Sequence, residues 1–428
     1  MSENTILSPE TIAKVEQAHP DLLSPESKGT RKVSAGLLSP PSSNSRSSSG
    51  TFTGSSRSSE SPEAKRATAI SKTPKITIPT QLNSVETYEF LGFTTDTATT
   101  LFSGQKAQQR PLDVARAWIE NKCDYAKERE DDWSNAMENA GVKEKVRLSM
   151  LKPEHEMILY TQPLKYWLIE IIDTAYEALV ELEANILLQL GDEARLRGGG
   201  SDLEDEDEDA EYTVPQMPGG HLAVFKSVDG RRTRNVVRED GSVSLARLES
   251  YFETDFARRG GLYFTHQLWV AQAYSKLIND ACDAADRRTV ELHVPLSHFK
   301  DIGLWELEYG DEWKQLIYYS RREELLPKAL QKIKAEHGCI QGPIAHSHTK
   351  TIVKLESWKD IGRQHLLTKE VEGEDGSKQI LIGIQQVWIG ESAISQLEAA
   401  VFEKAYIRLL EKGFRKVPEP WEDFKHLK

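Results

Sequence analysis

Gly260-Gly261-Leu262-Tyr263-Phe264-Thr265 is the stretch that decides how the C-terminal half of this chain is read. Paired glycines let a backbone turn tightly into a short strand. That strand presents Tyr263 beside Thr265. The next segment, residues 267–281, carries Leu268, Ala271, Tyr274 and Ile278 at helical spacing. A strand with a helix behind it brings Tyr263 and Tyr274 towards one pocket, where two rings can sandwich a flat heteroaromatic ring. A strand packed on an amphipathic helix is the plainer alternative.

Outward from this stretch the pattern is mixed. Residues 222–228 and 290–296 read as strands, and Ser244 is placed to cap a helix through Leu245, Leu248, Phe252 and Phe256. Residues 311–322 and 324–337 read as helices, with Pro327 in the first turn of the second. Residues 352–355 and 379–389 read as strands, and 391–412 as a long closing helix before Gly413. The alternation is irregular and gives no regular crossovers, so α+β is expected rather than a doubly wound sheet.

The N-terminal half divides differently. Residues 1–80 are rich in Ser, Pro, Lys and Arg with few aromatics, which predicts a disordered tail. Leu-Ser-Pro begins at Leu7, Leu23 and Leu38, with Ser61-Pro62 and Thr73-Pro74 as further steps. Ser8, Ser24 and Ser39 are therefore candidate substrates of a proline-directed kinase, against the plain composition of a Ser/Pro-rich tail. Residues 86–195 read as a small all-α region. Its strongest pattern is 164–190, where Leu168, Ile171, Ala175, Leu179, Leu182, Ile186 and Leu190 follow three-four spacing up to Gly191. Residues 196–212, with Gly198-Gly199-Gly200 and an acidic run to Glu211, read as a flexible linker. The mixed domain then spans 213–428.

Composition excludes several classes. A net charge of −13 argues against general nucleic-acid binding. Cys123, Cys282 and Cys339 are odd in number and far apart, so no disulfide framework is implied and a reducing compartment, cytoplasmic or nuclear, is expected. The first twenty residues lack the apolar core of a secretory signal. The apolar stretch 164–190 carries Glu170, Asp173, Glu177, Glu181 and Glu183, so no membrane span is expected. The Ser/Pro-rich tail and acidic run suggest a eukaryotic source.

Residues 219–400 resemble an ADP-ribosyltransferase-like domain. The resemblance rests on Val224-Phe225-Lys226-Ser227; on Gly261-Leu262-Tyr263-Phe264-Thr265 with Tyr274 eleven positions after Tyr263; on Trp313 and Arg321 with Gly342-Pro343-Ile344-Ala345; and on Gln385-Gln386-Val387-Trp388. The second is similar in spacing to the poly-ADP-ribose polymerases. The third is similar to an uncharacterised bacterial group of ADP-ribosyltransferase-like proteins. The resemblance implies a C-terminal mixed sheet with helices and NAD as cofactor, with Tyr263, Tyr274, Thr265 and Lys226 as cofactor-binding residues. It places Gln386 or Gln385 where active members hold a catalytic Glu, and Phe225 or Lys226 where they hold a His. A neutral amide supplies no charge to an oxocarbenium-like transition state, so weak or absent transfer is expected. Glu291 and Glu391 are carboxylates that can substitute, although both read more simply as surface or capping groups.

Two other motifs carry chemistry. His346-x-His348 near His337 and Cys339 offers loose metal-ligand spacing, and no metal site is expected from it. Arg231-Arg232-x-Arg234 suits a diphosphate, while a solvated hairpin loop is the simpler reading. Three functions follow: an NAD-binding protein of transferase type; a non-enzymatic interaction protein with an unidentified protein partner, regulated through its tail; and an enzyme of altered chemistry, such as an NAD glycohydrolase, that uses Glu291 or Glu391.

Overall fold

The computed structural model describes residues 4–39, 70–123, 132–189, 216–238, 240–250, 255–257, 260–322, 324–347, 349–372 and 376–409. The Gly-Gly turn forms as its sequence requires. Gly260 has φ +84°, and a Cβ on Gly261 would meet Val387 Cγ2 at 2.7 Å. The chain then enters strand β4, Leu262–Phe264.

Strand β4 pairs antiparallel with β10, Ile384–Trp388, which pairs antiparallel with β7, Cys339–Pro343. Strand β6, Leu304–Glu306, runs parallel to β7. A second sheet has β5, Arg287–Pro295, between β3, His221–Asp229, and β11, Ala405–Leu409. Phe225 and Thr265 exchange both backbone hydrogen bonds, 2.6 and 2.9 Å, and so join the two sheets at one point. The joined order is β11-β5-β3-β4-β10-β7-β6. Mixed helices and sheets of this kind make the fold α+β.

Register assigns the faces, because directly opposed residues project to the same side. Leu222, Val224, Val228, Leu262, Phe264 and Trp388 share one face and build a core with Val290, Leu292 and Phe299. Tyr263, Val387, Ile340 and Trp305 share the other and pack with Trp313, Leu316 and Ile317 of the helix Asp311–Arg321. A third core is built by the helical region, and the helix Leu268–Ala281 contributes Val270, Leu277 and Ile278 to it. The helical region therefore shares a core with this helix and with Ile344 and Leu367.

The disordered tail expected over residues 1–80 is not what residues 4–39 and 70–80 form. Ser8 caps the helix Pro9–Ala18, and strand β1, Thr30–Ser34, pairs with β2, Lys75–Pro79. Leu7, Leu23 and Leu38, which open the three Leu-Ser-Pro triplets, are all buried. The physical reason lies in another part of the chain. Glu183 accepts from Ser8 N–H at 3.0 Å and Thr11 Oγ1 at 2.6 Å, while Asn185 and Gln189 donate to the carbonyls of Leu38, Gly36 and Ser39. Ser61-Pro62 and the linker 196–212 lie outside the described residues.

Other boundaries move for local reasons. The long apolar helix is two helices, Leu164–Val180 and Leu182–Gln189, parted at Glu181. The helix expected after Ser244 is a single turn, Ala246–Leu248, after which Ser250 pairs with Gly261. Residues 349–354 are helical rather than extended. The closing helix ends at Ala400, and Glu403, at φ +56°, turns the chain back into β11. The strand expected over 379–389 is two strands, β9, Lys378–Ile382, and β10, with β9 paired to β8, Thr368–Glu372. Among the described residues no helix is long and apolar enough to cross a membrane.

Candidate functional site

Gln386 lies in the middle of β10 and is fully buried. Its Nε2 donates to Gln341 Oε1 at 2.9 Å and lies 2.8 Å from His266 Nδ1. Burial pushes the His266 imidazole down to about 4, so at neutral pH the ring is uncharged and Nδ1 can accept. Both Gln386 N–H groups are then used. Gln386 Oε1 has no hydrogen-bond partner among the described residues. Gln341 hands the chain on, with its Nε2 donating to Glu306 Oε1 at 3.5 Å.

Lys226 belongs to the same face. The Phe225–Thr265 pairing sets Lys226 opposite Phe264, and Phe264 is opposite Gln386. Lys226, Phe264, Gln386, Gln341 and Glu306 thus form one row across five strands. Lys226 is half-buried and makes no hydrogen bond or ion pair among the described residues. Burial first, then the positive charges of Arg232 and Arg287, press its ammonium down to about 7, with Glu170 acting in the opposite direction.

Tyr263, Thr265 and Gln385 project to the other face. Thr265 Oγ1 donates to Ile384 O at 2.7 Å and accepts from Gln267 N–H at 3.1 Å. The Tyr263 hydroxyl accepts from Phe256 N–H at 3.3 Å, and its ring packs in the Trp313 core. Gln385 Nε2 donates to Asp255 Oδ2 at 2.9 Å.

Tyr274 follows the helical region instead. Its hydroxyl is 2.7 Å from Thr161 Oγ1, and its ring lies 5.3 Å from Trp167 at 34°. Burial pushes the phenol up to about 12. The two tyrosines expected to flank one pocket are seated in different cores. The reason is that the helical region, absent from any local reading of strand and helix, supplies Tyr274 with its partners.

Sequence reasoning missed the group that ties these parts together. Asp255 and Arg321 are buried and paired at 2.7 Å. Asp255 also accepts from Ala345 N–H at 2.8 Å and from Gln385, while Arg321 donates to Ala345, Ser347 and Thr161 carbonyls. The signal available was an acid just before the Gly-Gly turn and an arginine already singled out before Gly342-Pro343-Ile344-Ala345. Their pairing needs the fold.

The basic triplet is not the solvated loop it resembled. Arg231 is fully buried and donates to Leu38 O at 2.8 Å, Thr174 O at 3.1 Å, Ala284 O at 3.1 Å and Asp229 Oδ2 at 2.7 Å. Arg234 pairs with Glu181 at 3.0 Å, and Arg232 donates to Arg247 O. Glu291 is buried beside His293, whose Nε2 is 2.7 Å away, so it is not a surface group. Glu391 is exposed in the first turn of the helix Glu391–Ala400, where its charge suits the helix dipole.

Two sites bear on metal chemistry. His346 Nε2 is 3.2 Å from Glu156 O, His337 Nδ1 is 2.6 Å from Ile333 O, and burial pushes the Cys339 thiol up, while His348 lies outside the described residues. Glu154, His155 and Asp280 converge, but Lys276 neutralises Glu154 at 2.9 Å and Lys152 neutralises Asp280 at 2.9 Å. Those ammonium groups occupy the charge a cation would need. No protein-family model, curated protein or solved structure matches the chain.

Proposed function

We propose that this chain is an NAD-binding protein of the ADP-ribosyltransferase type in which transfer is lost or slow. The observation that carries this reading is the row shared by Lys226 and Gln386. A cationic residue and a buried amide with a spare acceptor lie on one sheet face, two strands apart, or about 10 Å between backbones. That spacing suits a ligand with an anionic centre and a hydroxyl-bearing ribose. Gln386 can accept from a ribose hydroxyl through Oε1, but it brings no negative charge to a developing cation. Lys226 contributes a point charge in place of an orienting imidazole.

Titration of NAD into the full chain, followed by calorimetry and by nicotinamide release, tests the reading. Saturable binding without measurable release is expected. Absence of binding at millimolar NAD overturns it.

A second reading, a non-enzymatic interaction protein, is supported by the engagement of Tyr274 with Thr161 and Trp167. In that reading the aromatic pair is structural and the sheet is retained for assembly with a protein partner. Phosphorylation of Ser8, Ser24 or Ser39 by a proline-directed kinase belongs to this reading as its regulation. Normal NAD binding by Tyr274→Ala would leave the tyrosine outside the ligand site and favour the structural role for that residue alone.

A further inference from the structure

The three Leu-Ser-Pro triplets share a sequence and differ in what their serines face. Ser8 Oγ accepts from Thr11 N–H at 3.2 Å and donates to Thr11 Oγ1 at 3.0 Å. Thr11 Oγ1 in turn donates to Glu183 Oε1 at 2.6 Å, and the same oxygen accepts from Ser8 N–H at 3.0 Å. The Thr11 hydroxyl is therefore all that separates Ser8 Oγ from a carboxylate of the helix Leu182–Gln189. Thr11 is buried and Glu183 half-buried, so solvent screens this spot incompletely. Ser24 meets backbone instead: its Oγ donates to Pro25 O at 3.1 Å and accepts from Lys32 N–H at 2.8 Å. Ser39 is held through its carbonyl, which accepts from Gln189 Nε2 at 2.6 Å and which a change at the side chain leaves in place. Of the three hydroxyls, that of Ser8 is the one built into the bonds that dock residues 4–39, and those bonds end on an acid.

We propose that Ser8 is the phosphorylation site of a proline-directed Ser/Thr kinase, and that the phosphate releases residues 4–39 from the helix Leu182–Gln189 by repulsion from Glu183. The kinase moves the γ-phosphoryl group of ATP to Ser8 Oγ: the O–H bond breaks, an O–P bond forms, ADP leaves and the proton passes to solvent. The product has no hydrogen to give Thr11 Oγ1 and carries about 1.5 to 2 negative charges at pH 7. A helix N-terminus ordinarily favours a phosphate. Here Glu183 already lies at that end of the helix Pro9–Ala18, so the new charge meets a like charge across one hydroxyl. Pro9, the residue such a kinase reads, is exposed. The Ser8 hydroxyl is engaged while the segment is docked, so transfer takes place in the transiently opened segment, and the phosphate then blocks its return. This narrows the regulation named in the interaction-protein reading to one serine, and rests on that reading only for what the release controls.

The test is incubation of the full chain with ATP and a recombinant proline-directed kinase, mass spectrometry of the modified serines, and limited proteolysis before and after. Phosphate at Ser8 is expected, with cleavage within residues 4–39 about 10- to 100-fold faster, the scale of a lost hydrogen bond to a charged group. Glu183→Gln keeps the acceptor oxygen and removes the charge, so its phosphorylated and unmodified forms are expected to be cleaved at nearly equal rates. Ser8→Glu, placed in the wild-type and Glu183→Gln chains, reads the same repulsion without a kinase. A treated chain with no phosphate at Ser8, whether or not Ser24 or Ser39 is modified, overturns the inference. Equal release of the segment in the wild-type and Glu183→Gln backgrounds overturns it as well. The readout is the docking of the segment rather than the capture of a partner, so failure of the interaction-protein reading leaves this result standing, and the reverse.

Discussion

Gln386 faces Gln341 across the β10–β7 pairing, and its amide donates to Gln341 Oε1 at 2.9 Å while its own Oε1 has no hydrogen-bond partner among the described residues. The direction of that bond fixes the side chain as an amide. A carboxylate in the same place would present an acceptor to an acceptor.

Gln386→Glu is therefore expected to raise its carboxyl pKa and to cost about 1–3 kcal/mol of stability. A group whose pKa is raised on folding contributes most at low pH and loses that contribution as pH rises. The deficit against wild type should be small at pH 5 and larger at pH 8 in urea denaturation. A pH-independent difference would show that Gln341 simply turns over to meet the new residue.

Arg231 is the second test. Removing its side chain takes one donor each from Asp229 Oδ2 and from the carbonyls of Leu38, Thr174 and Ala284 inside the protein. Arg231→Met should destabilise by about 3–5 kcal/mol, the range for an uncompensated buried charge. Arg231→Lys should recover only part of this, since one ammonium cannot span all four acceptors. Limited proteolysis should show cleavage first within residues 4–39, because Leu38 loses its tie to the sheet. Cleavage elsewhere, with that segment protected, would contradict the role.

Glu177 gives a pH prediction of definite sign. Burial first, then the charge of Asp229, raises its carboxyl from 4.5 to about 7, against the pull of Arg232 and Arg231. The folded protein keeps this proton up to about pH 7, whereas the unfolded chain releases it near 4.5. The contribution is full below 4.5 and declines as pH rises through 7. Glu177→Gln, which never ionises, should be more stable than wild type by about 1–2 kcal/mol at pH 8 and nearly equal at pH 5. Parallel stability curves across that interval would show that Glu177 ionises freely.

Ser8 separates capping from charge. Its Oγ accepts from Thr11 N–H at 3.2 Å, and its N–H donates to Glu183. Ser8→Ala should cost about 1 kcal/mol as a lost cap. Ser8→Glu sets a second carboxylate beside Glu183 and should loosen the helix Pro9–Ala18 further, as a phosphate at Ser8 would. Melting curves and proteolysis of the two variants decide this. A glutamate variant as stable as the alanine variant would mean the helix dipole offsets the repulsion.

The sequence by itself determined the local features that depend on neighbouring residues. Gly260 and Gly261 demanded a turn, the alternation around Tyr263 demanded a strand, and the spacing from Leu268 to Ile278 demanded a helix, and all three form. The strands at β3 and β5 and the helical character of the 164–190 stretch were legible for the same reason, although the break at Glu181 was not. Tertiary structure alone decided which of these residues meet. A strand's two faces are equivalent until register is set. Register here depends on Phe225 pairing with Thr265 and Gln386 with Phe264, contacts between segments far apart in the chain. Those pairings put Lys226 and Gln386 on one side and Tyr263, Thr265 and Gln385 on the other. The N-terminal leucines were illegible for a related reason. A Ser/Pro-rich segment has too little apolar surface to fold on its own, and its order comes from Glu183, Asn185 and Gln189 on a helix it reaches only in the folded chain.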